Sequence, residues 1–397
     1  MRKICVITSG RQDYGHLYFI LKDIEASNKL ELVVFAPGNH HCIREIMQEF
    51  KTVQMTPCIR GIQDYGNFYS FVLDALKAYN PDMVMVLGDR FETHAAATAA
   101  LLLNVPIVHA HGGEITKGAF DDKLRNGITM MSDIHFTAHE EYAKNVSYMA
   151  RIGEYRDCIT NEYCWNMNED GFGYERFDTQ DEKTKKHVKI FNVGSPGIDW
   201  LTRAKLKTKA ELQQGLSIDL NQPFYVCCFH PETKNLANTE RHIKEFCTAL
   251  DKTGMQILFV MPNCDPCNNI IRQVVQSYDD AGRYSDCKPH LWHCVDNIDH
   301  LTYLSLLQCA EMIVGNSSSG IIEAASFNLP AVNIGTRQEG RIKPDNVFSC
   351  LCETEAILAA IDRAREWNAL VGKCGNPYGD GRSSQRIVKV LEEVKEL

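Results

Sequence analysis

Short runs of β-branched and apolar residues alternate with longer amphipathic stretches along nearly the whole chain, and that alternation leaves few folds open. Residues 3–8, 32–36, 83–87, 106–109, 135–137 and 190–193 read as strands, with helical patterns at 17–25, 68–78 and 91–103 between them. Pro81-Asp82 stops one helix and introduces Met83-Val84-Met85-Val86-Leu87, a run too uniformly apolar for a sheet with one wet face. The pattern predicts an α/β fold whose parallel sheet is covered on both sides.

After Gly194-Ser195-Pro196-Gly197 the pattern restarts, with strands at 224–228, 257–261, 291–294, 312–314 and 331–334 and helices at 239–251, 301–309 and 321–327. A length of 397 residues allows two full cores. The expectation is two Rossmann-type, doubly wound parallel-sheet domains, 1–196 and 197–382, with an interdomain cleft and a final helix, 383–397, returning to the first domain. Ligands in such sheets bind at the carboxyl ends of the strands. Residues 153–188 break the pattern with polar and aromatic sequence and read as an insertion: a lid, an oligomer contact or, the favoured reading, surface decoration.

Composition narrows the partners. The net charge is −9 and no Lys/Arg block occurs, which argues against nucleic acid without excluding a small anion. The first apolar run ends at Ser9-Gly10-Arg11 and reads as a strand rather than a secretory segment. The longest one, 95–108, is interrupted by Thr98, Asn104 and Pro106, so no membrane partner is expected. Sixteen cysteines without a leader read as reduced thiols of a cytoplasmic protein. Cys264 and Cys267 have metal-like spacing but no second pair, so thiols are favoured over zinc.

The chemistry gathers behind the strands. Met312-Ile313-Val314 runs into Gly315-Asn316-Ser317-Ser318-Ser319-Gly320-Ile321-Ile322-Glu323, a strand, a small-residue turn and a helix start. Unpaired N–H groups and the peptide dipoles at a helix start suit a phosphate, with Glu323 placed to accept from a ribose hydroxyl. No Lys follows Gly320, so this is not a Walker loop, and an ordinary serine-capped turn is the bland alternative. Four polar clusters lie behind strands of the first half: Ser9 to Gly15 with Arg11 and Asp13, Gly88-Asp89-Arg90, His109 to Glu114 with His111, and Gly118 to Asp122 followed by Arg125. His230-Pro231-Glu232-Thr233 ends the 224–228 strand. A lone Asp at a strand end is usually a cap. Asp89, Glu114 and Asp121 at one end of one sheet instead suggest acid/base work opposite a diphosphate site.

In this order, SGRQDYG at 9–15, LGDRFE at 87–92, HAHGGE at 109–114, FDDKLR at 120–125, FHPET at 229–233, GNSSSGIIE at 315–323 and GTRQEGR at 335–341 resemble the UDP-N-acetylglucosamine 2-epimerase family. The likeness is greatest to its bacterial hydrolysing branch of sialic and legionaminic acid synthesis. It implies a GT-B-like fold and conversion of UDP-N-acetylglucosamine to UDP and N-acetylmannosamine. It also implies that Asp89 and Asp121 match catalytic carboxylates and that His230 lies near the sugar and diphosphate. Arg11, Ser317, Ser318, Glu323 and Arg337 match nucleotide-binding positions, and Asp13, Arg90, Arg125, Asn263, Ser319, Gly320 and Arg341 join them as candidates. Where many members carry HIEGGE, this chain has His111 in place of the first Glu. Either His111 takes that role or Glu114 supplies the carboxylate, and Glu114 is favoured.

The implied reaction removes the proton on sugar carbon 2 as UDP leaves carbon 1, giving 2-acetamidoglucal, to which water adds. Ser317 to Ser319 and Arg11 would stabilise the departing diphosphate, and Asp89, Glu114, Asp121 and His230 would move protons. No cofactor or essential metal is expected; a homodimer or homotetramer is. The alternatives are a UDP- or GDP-linked 2,4-diacetamido-trideoxy sugar as substrate, a non-hydrolysing epimerase, a glycosyltransferase of the same architecture and a nucleotide-sugar sensor.

Overall fold

The computed structural model describes every residue except 41, 155–164, 168–172, 177–188, 263–264, 285–289, 297 and 395–397. The chain forms two compact units. The first comprises Met1–Glu114, Asp121–Arg203 and Tyr378–Leu397. Its sheet uses β1 (Arg2–Ile7), β2 (Leu30–Pro37), β3 (Val53–Thr56), β4 (Met83–Leu87), β5 (Ile107–Ala110), β6 (Ile134–Thr137), β7 (Trp165–Met167), β8 (Gly173–Arg176) and β9 (Lys189–Asn192). The order is β3-β2-β1-β4-β5-β6-β9-β8-β7, parallel through β9 and antiparallel for the last two pairings.

Apolar side chains fill both faces of the central strands, and β4 is buried along its whole length. On one face, Ala95, Ala96, Ala97, Ala99 and Ala100 of helix Phe91–Leu102 leave so little bulk that helices Tyr65–Tyr79 and Asp121–Met131 pack directly against it. On the other face, helix Arg11–Ala26 packs against the C-terminal helix Ser383–Glu393. The Asp199 carboxylate accepts from the Ser383 and Ser384 amides at 2.9 and 2.6 Å, satisfying donors that a helix start leaves unpaired. Trp200 donates to the Gly15 carbonyl at 2.7 Å and stacks on Tyr18. These contacts keep the chain in the first unit through Arg203, beyond the Gly194-Ser195-Pro196-Gly197 turn.

The second unit comprises Ile115–Phe120 and Ala204–Pro377. It contains β10 (Phe224–Cys228), β11 (Gln256–Val260), β12 (Trp292–Val295), β13 (Met312–Gly315), β14 (Ala331–Ile334) and β15 (Val347–Cys350), parallel and ordered β12-β11-β10-β13-β14-β15.

Three readings need correction. Strands β3 and β15, Val-Gln-Met-Thr and Val-Phe-Ser-Cys, escape pattern reading because each sits at a sheet edge and only half buries its residues. The 153–188 stretch carries two strands that the pattern reading did not name: β7 and β8 extend the first sheet beside β9, and the remainder lies outside the described residues. The helix after the Gly315 turn is one α-turn, Ser319–Ile322, followed by a 3-10 turn, Ala324–Phe327. Asn328 then turns left-handed ahead of Leu329-Pro330, which ends it. The macrodipole of a long helix is therefore not available there.

Candidate active site

In the first unit the site grows from two neighbouring strands, β4 and β5, with Leu87 opposite Ala110. Gly88 turns off β4 at φ 77°, its amide donating to the Ala110 carbonyl, and Asp89 follows. At the end of β5, His111 adopts φ 64°, a left-handed conformation uncommon for a side-chain-bearing residue. Gly113, at φ 79°, completes the turn; a Cβ there would collide with the Tyr142 carbonyl. The turn folds Glu114 back onto its own start, leaving Glu114 Oε1 2.6 Å from His111 Nδ1. Both side chains are buried. Ser195 Oγ lies 3.5 Å from His111 Nε2, and the His16 ring is edge-on to His111 at 5.4 Å. His111 and Glu114, the two candidates for the missing glutamate's role, thus form one hydrogen-bonded pair.

Arg125 organises the rest. It is 1% exposed and donates to the Glu114 carbonyl and to the Asp122 carboxylate, each at 2.8 Å, and to the Asp89 carboxylate. The sequence reading placed Arg125 among nucleotide-binding residues; its burial and these three acceptors make it the internal anchor of the carboxylates instead. Asp121 opens helix Asp121–Met131 one turn before Arg125, so it shares that helix face. Arg90 pairs with the buried Glu92 through two contacts, 2.9 and 3.2 Å. Asp13 bonds Ser9; burial pushes its carboxyl up, against the pull of the Arg90 charge. Arg11 is half-buried at the start of helix Arg11–Ala26. Behind these groups, His109 bonds the Gly88 carbonyl at 2.8 Å and is pushed by burial down to about 4.

In the second unit three strand ends converge. Gly315, the last residue of β13, passes so close to β10 that a Cβ would collide with the Cys228 carbonyl oxygen. Asn316 then clamps the backbone of His230, its Oδ1 accepting from the His230 amide at 2.7 Å and its Nδ2 donating to the His230 carbonyl at 2.8 Å. The Asn316 carbonyl accepts from Arg337 and Gln338, at 3.2 and 3.0 Å. The Glu232 carboxylate accepts from the Thr336 amide at 2.6 Å, fastening the loop after β14 to the loop after β10.

His230 Nε2 lies 3.2 Å from Cys228 Sγ, and Nδ1 lies 3.6 Å from Asp265. Burial opposes charging of the ring, and Arg337 opposes it too. The sulfur and the carboxylate outweigh both, raising His230 to about 9. Ser317, Ser318 and Gly320 are half-buried and Ser319 and Glu323 buried around the short helix, and Arg341 is half-buried behind Gly340. Asn263 and Cys264 lie outside the described residues.

The structure therefore groups His111, Glu114, Asp89 and Arg125 in one unit, and His230, Ser317 to Ser319 and Arg337 in the other. The sequence reading missed Asn316, Glu232, Gln338, Asp265 and Ser195 as supports. Asn316 and Glu232 stand inside the quoted motifs, and that placement was the available signal.

A family model described as UDP-N-acetylglucosamine 2-epimerase matches residues 22–161 and 179–392. The chain is 30% identical to GDP/UDP-N,N'-diacetylbacillosamine 2-epimerase (hydrolyzing) of Campylobacter jejuni, covering 87% of this chain and 84% of that protein. It is also 30% identical to UDP-N,N'-diacetylbacillosamine 2-epimerase (hydrolyzing) of Legionella pneumophila, covering 99% and 96%. Among solved structures, UDP-GlcNAc 2-epimerase from Neisseria meningitidis bound to UDP-GlcNAc matches with a TM-score of 0.75 at 19% identity, covering 98% and 99%. The enzyme from Methanocaldococcus jannaschii in complex with UDP-GlcNAc and UDP matches at 0.72 and 16%, covering 98% and 99%. These likenesses identify the fold as GT-B-like, built from two Rossmann-type units.

Proposed function

Because the chain belongs to the UDP-N-acetylglucosamine 2-epimerase family, we propose that it is a hydrolysing 2-epimerase, converting UDP-N-acetylglucosamine to UDP and N-acetylmannosamine. The observation that carries this reading is the buried His111–Glu114 pair, joined through Arg125 to Asp89. Inverting carbon 2 requires a proton to leave one face of the sugar and another to arrive on the opposite face. That calls for two proton-transfer groups rather than the single base that suffices for most sugar transfers. The His111–Glu114 pair and Asp121 fill those roles, with Asp89 alongside.

In the elimination step the base takes the carbon-2 proton. The C–H electrons form the C1–C2 double bond, and the C1–O bond breaks with its electron pair going to UDP. In the hydration step the second acid gives its proton to carbon 2 and water bonds carbon 1 through its oxygen; the proton that water sheds restores the acid, and the first base passes its proton to solvent. His230, held protonated by Cys228 and Asp265, donates toward the leaving phosphate, while Arg337 and the Ser317 to Ser319 hydroxyls and amides bind its oxygens. These donors take over the task first assigned to a helix dipole.

A second reading exchanges the sugar for UDP-N,N'-diacetylbacillosamine, favoured by the names of the two relatives at 30% identity. Twelve free thiols among the described residues fit a reducing compartment, and we place the activity in the cytoplasm, carried by a homodimer or homotetramer. Incubating the protein with both nucleotide sugars in heavy water and examining products by NMR tests both readings. Free UDP and a 2-epimerised sugar with deuterium at carbon 2 are expected; a product with hydrogen at carbon 2 would exclude the elimination route.

A further inference from the structure

Ser195 stands where a serine usually caps a helix start: its backbone is extended, and Pro196 opens the 3-10 turn Pro196–Asp199 directly after it. Yet among the described residues its side chain makes no cap hydrogen bond. The hydroxyl instead faces His111 Nε2 at 3.5 Å, while Glu114 takes Nδ1. Both residues are buried, Ser195 completely. Proton-transfer groups commonly stand this far apart before substrate draws them together.

The platform under Ser195 is fixed from both sides. Its amide donates to the Tyr378 carbonyl at 2.7 Å, and its carbonyl accepts from the Ile198 amide at 3.1 Å. Gly194 is left-handed at φ 85°, and a Cβ there would stand 2.9 Å from the Tyr378 carbonyl oxygen. The Tyr378 hydroxyl pairs with the Tyr142 hydroxyl at 2.9 Å, and the Tyr142 carbonyl is the group against which Gly113 closes the His111 turn. Asn145, one helical turn beyond Tyr142, donates to the Gly113 carbonyl at 2.8 Å. His111, Gly113, Tyr142, Tyr378 and Ser195 thus form one ring of contacts inside the first unit. A left-handed His111 needs such enclosure, because a strained backbone persists only where its surroundings hold it.

A histidine that moves a proton must be held both with it and without it. The neutral ring, with its proton on Nδ1 facing Glu114, offers a lone pair at Nε2; the charged ring offers an N–H there. A serine hydroxyl donates to the first and accepts from the second. Without it, whichever group Nε2 carries would be left buried and unpaired.

We propose that Ser195 is a positioning residue for the His111–Glu114 pair, its hydroxyl reversing direction at Nε2 as the ring gains or loses a proton. The proposal rests on the 2-epimerase reading for its effect on turnover. The effect of Ser195 on the His111 ring stands without that reading.

Ser195→Ala removes the hydroxyl with little loss of volume. With UDP-N-acetylglucosamine as substrate it is expected to lower kcat by about 10- to 100-fold while KM changes less than about threefold. Ser195→Thr, which keeps the hydroxyl on an extended backbone that suits a β-branched side chain, regains most of that loss. Ser195→Cys, whose S–H is a weak donor, does not. Ring-nitrogen NMR reads the contact without turnover, the His111 signals being those that vanish in His111→Asn. In Ser195→Ala the Nε2 signal should move while the Nδ1 signal, still facing Glu114, stays. An Nε2 signal that does not move overturns the proposal, and so does wild-type kcat in the Ala variant. If the wild-type protein turns over neither nucleotide sugar, the functional reading fails, and the Nε2 signal alone then decides whether Ser195 holds the ring.

Discussion

His111 Nδ1 and Glu114 Oε1 stand 2.6 Å apart inside the first unit, joined across a turn that only a left-handed His111 closes. A carboxylate at Nδ1 fixes the ring tautomer and its orientation, so under the proposed function the two residues would act as one proton-handling group. Glu114→Gln is expected to lower kcat by about 100- to 10,000-fold without weakening UDP binding, and His111→Asn by a comparable factor. The double variant should fall little below the worse single one, because each change disables the same group. Multiplicative losses in a kcat cycle would show that the two act separately.

Arg125 yields a stability prediction rather than a kinetic one. Its guanidinium is buried and holds Asp89, Asp122 and the Glu114 carbonyl together. Arg125→Leu abandons two carboxylates and a carbonyl in a partly desolvated site and is expected to cost about 3 kcal/mol or more, read as a lower urea midpoint. Arg125→Lys will not restore it, since one ammonium cannot reach three acceptors arranged around a planar fork. A wild-type midpoint for the Leu variant would mean that the cluster does not anchor the sheet end.

Much of this arrangement was legible in the sequence, for definable reasons. Met83–Leu87 announces itself because a parallel central strand is apolar on both faces. Asp89 and Glu114 were readable as neighbours because they follow strands β4 and β5, which pair with each other. The role of Arg125 was not, since its bond to Asp89 crosses 36 residues and depends on burial that no local pattern encodes. The same holds for Asn316 on His230, 86 residues apart, and Glu232 on Thr336, 104 apart.

Two buried histidines under the first sheet set its acid limit. Burial depresses His109 to about 4 and His135 to about 3, below the ordinary 6.5 that each regains on unfolding. Below pH 6.5 the unfolded chain takes up protons that the folded chain refuses. Stability is therefore intact above that pH and is lost progressively as pH falls toward 4 and 3. Urea midpoints should drop steadily between pH 6.5 and pH 4. His135→Gln, which cannot charge, should flatten that drop even if it lowers the midpoint at pH 7. An equal slope in the variant would assign the acid sensitivity to other groups.

His230 carries the opposite pH dependence. Its ring is raised to about 9 against the cost of burial, so it is charged at neutral pH and loses its proton as pH climbs through that value. The stabilising contribution runs the same way: a base whose folded pKa is raised contributes fully below its unfolded value of 6.5 and loses that contribution as pH rises through 9. If the imidazolium assists departure of the diphosphate, kcat should decline above about pH 9 while the protein remains folded. Asp265→Asn and Cys228→Ser each remove a group that holds the proton, so each should move the falling limb to lower pH. A falling limb that stays put in both variants would remove His230 from the proton inventory of the reaction and leave leaving-group stabilisation to Arg337 and the serines.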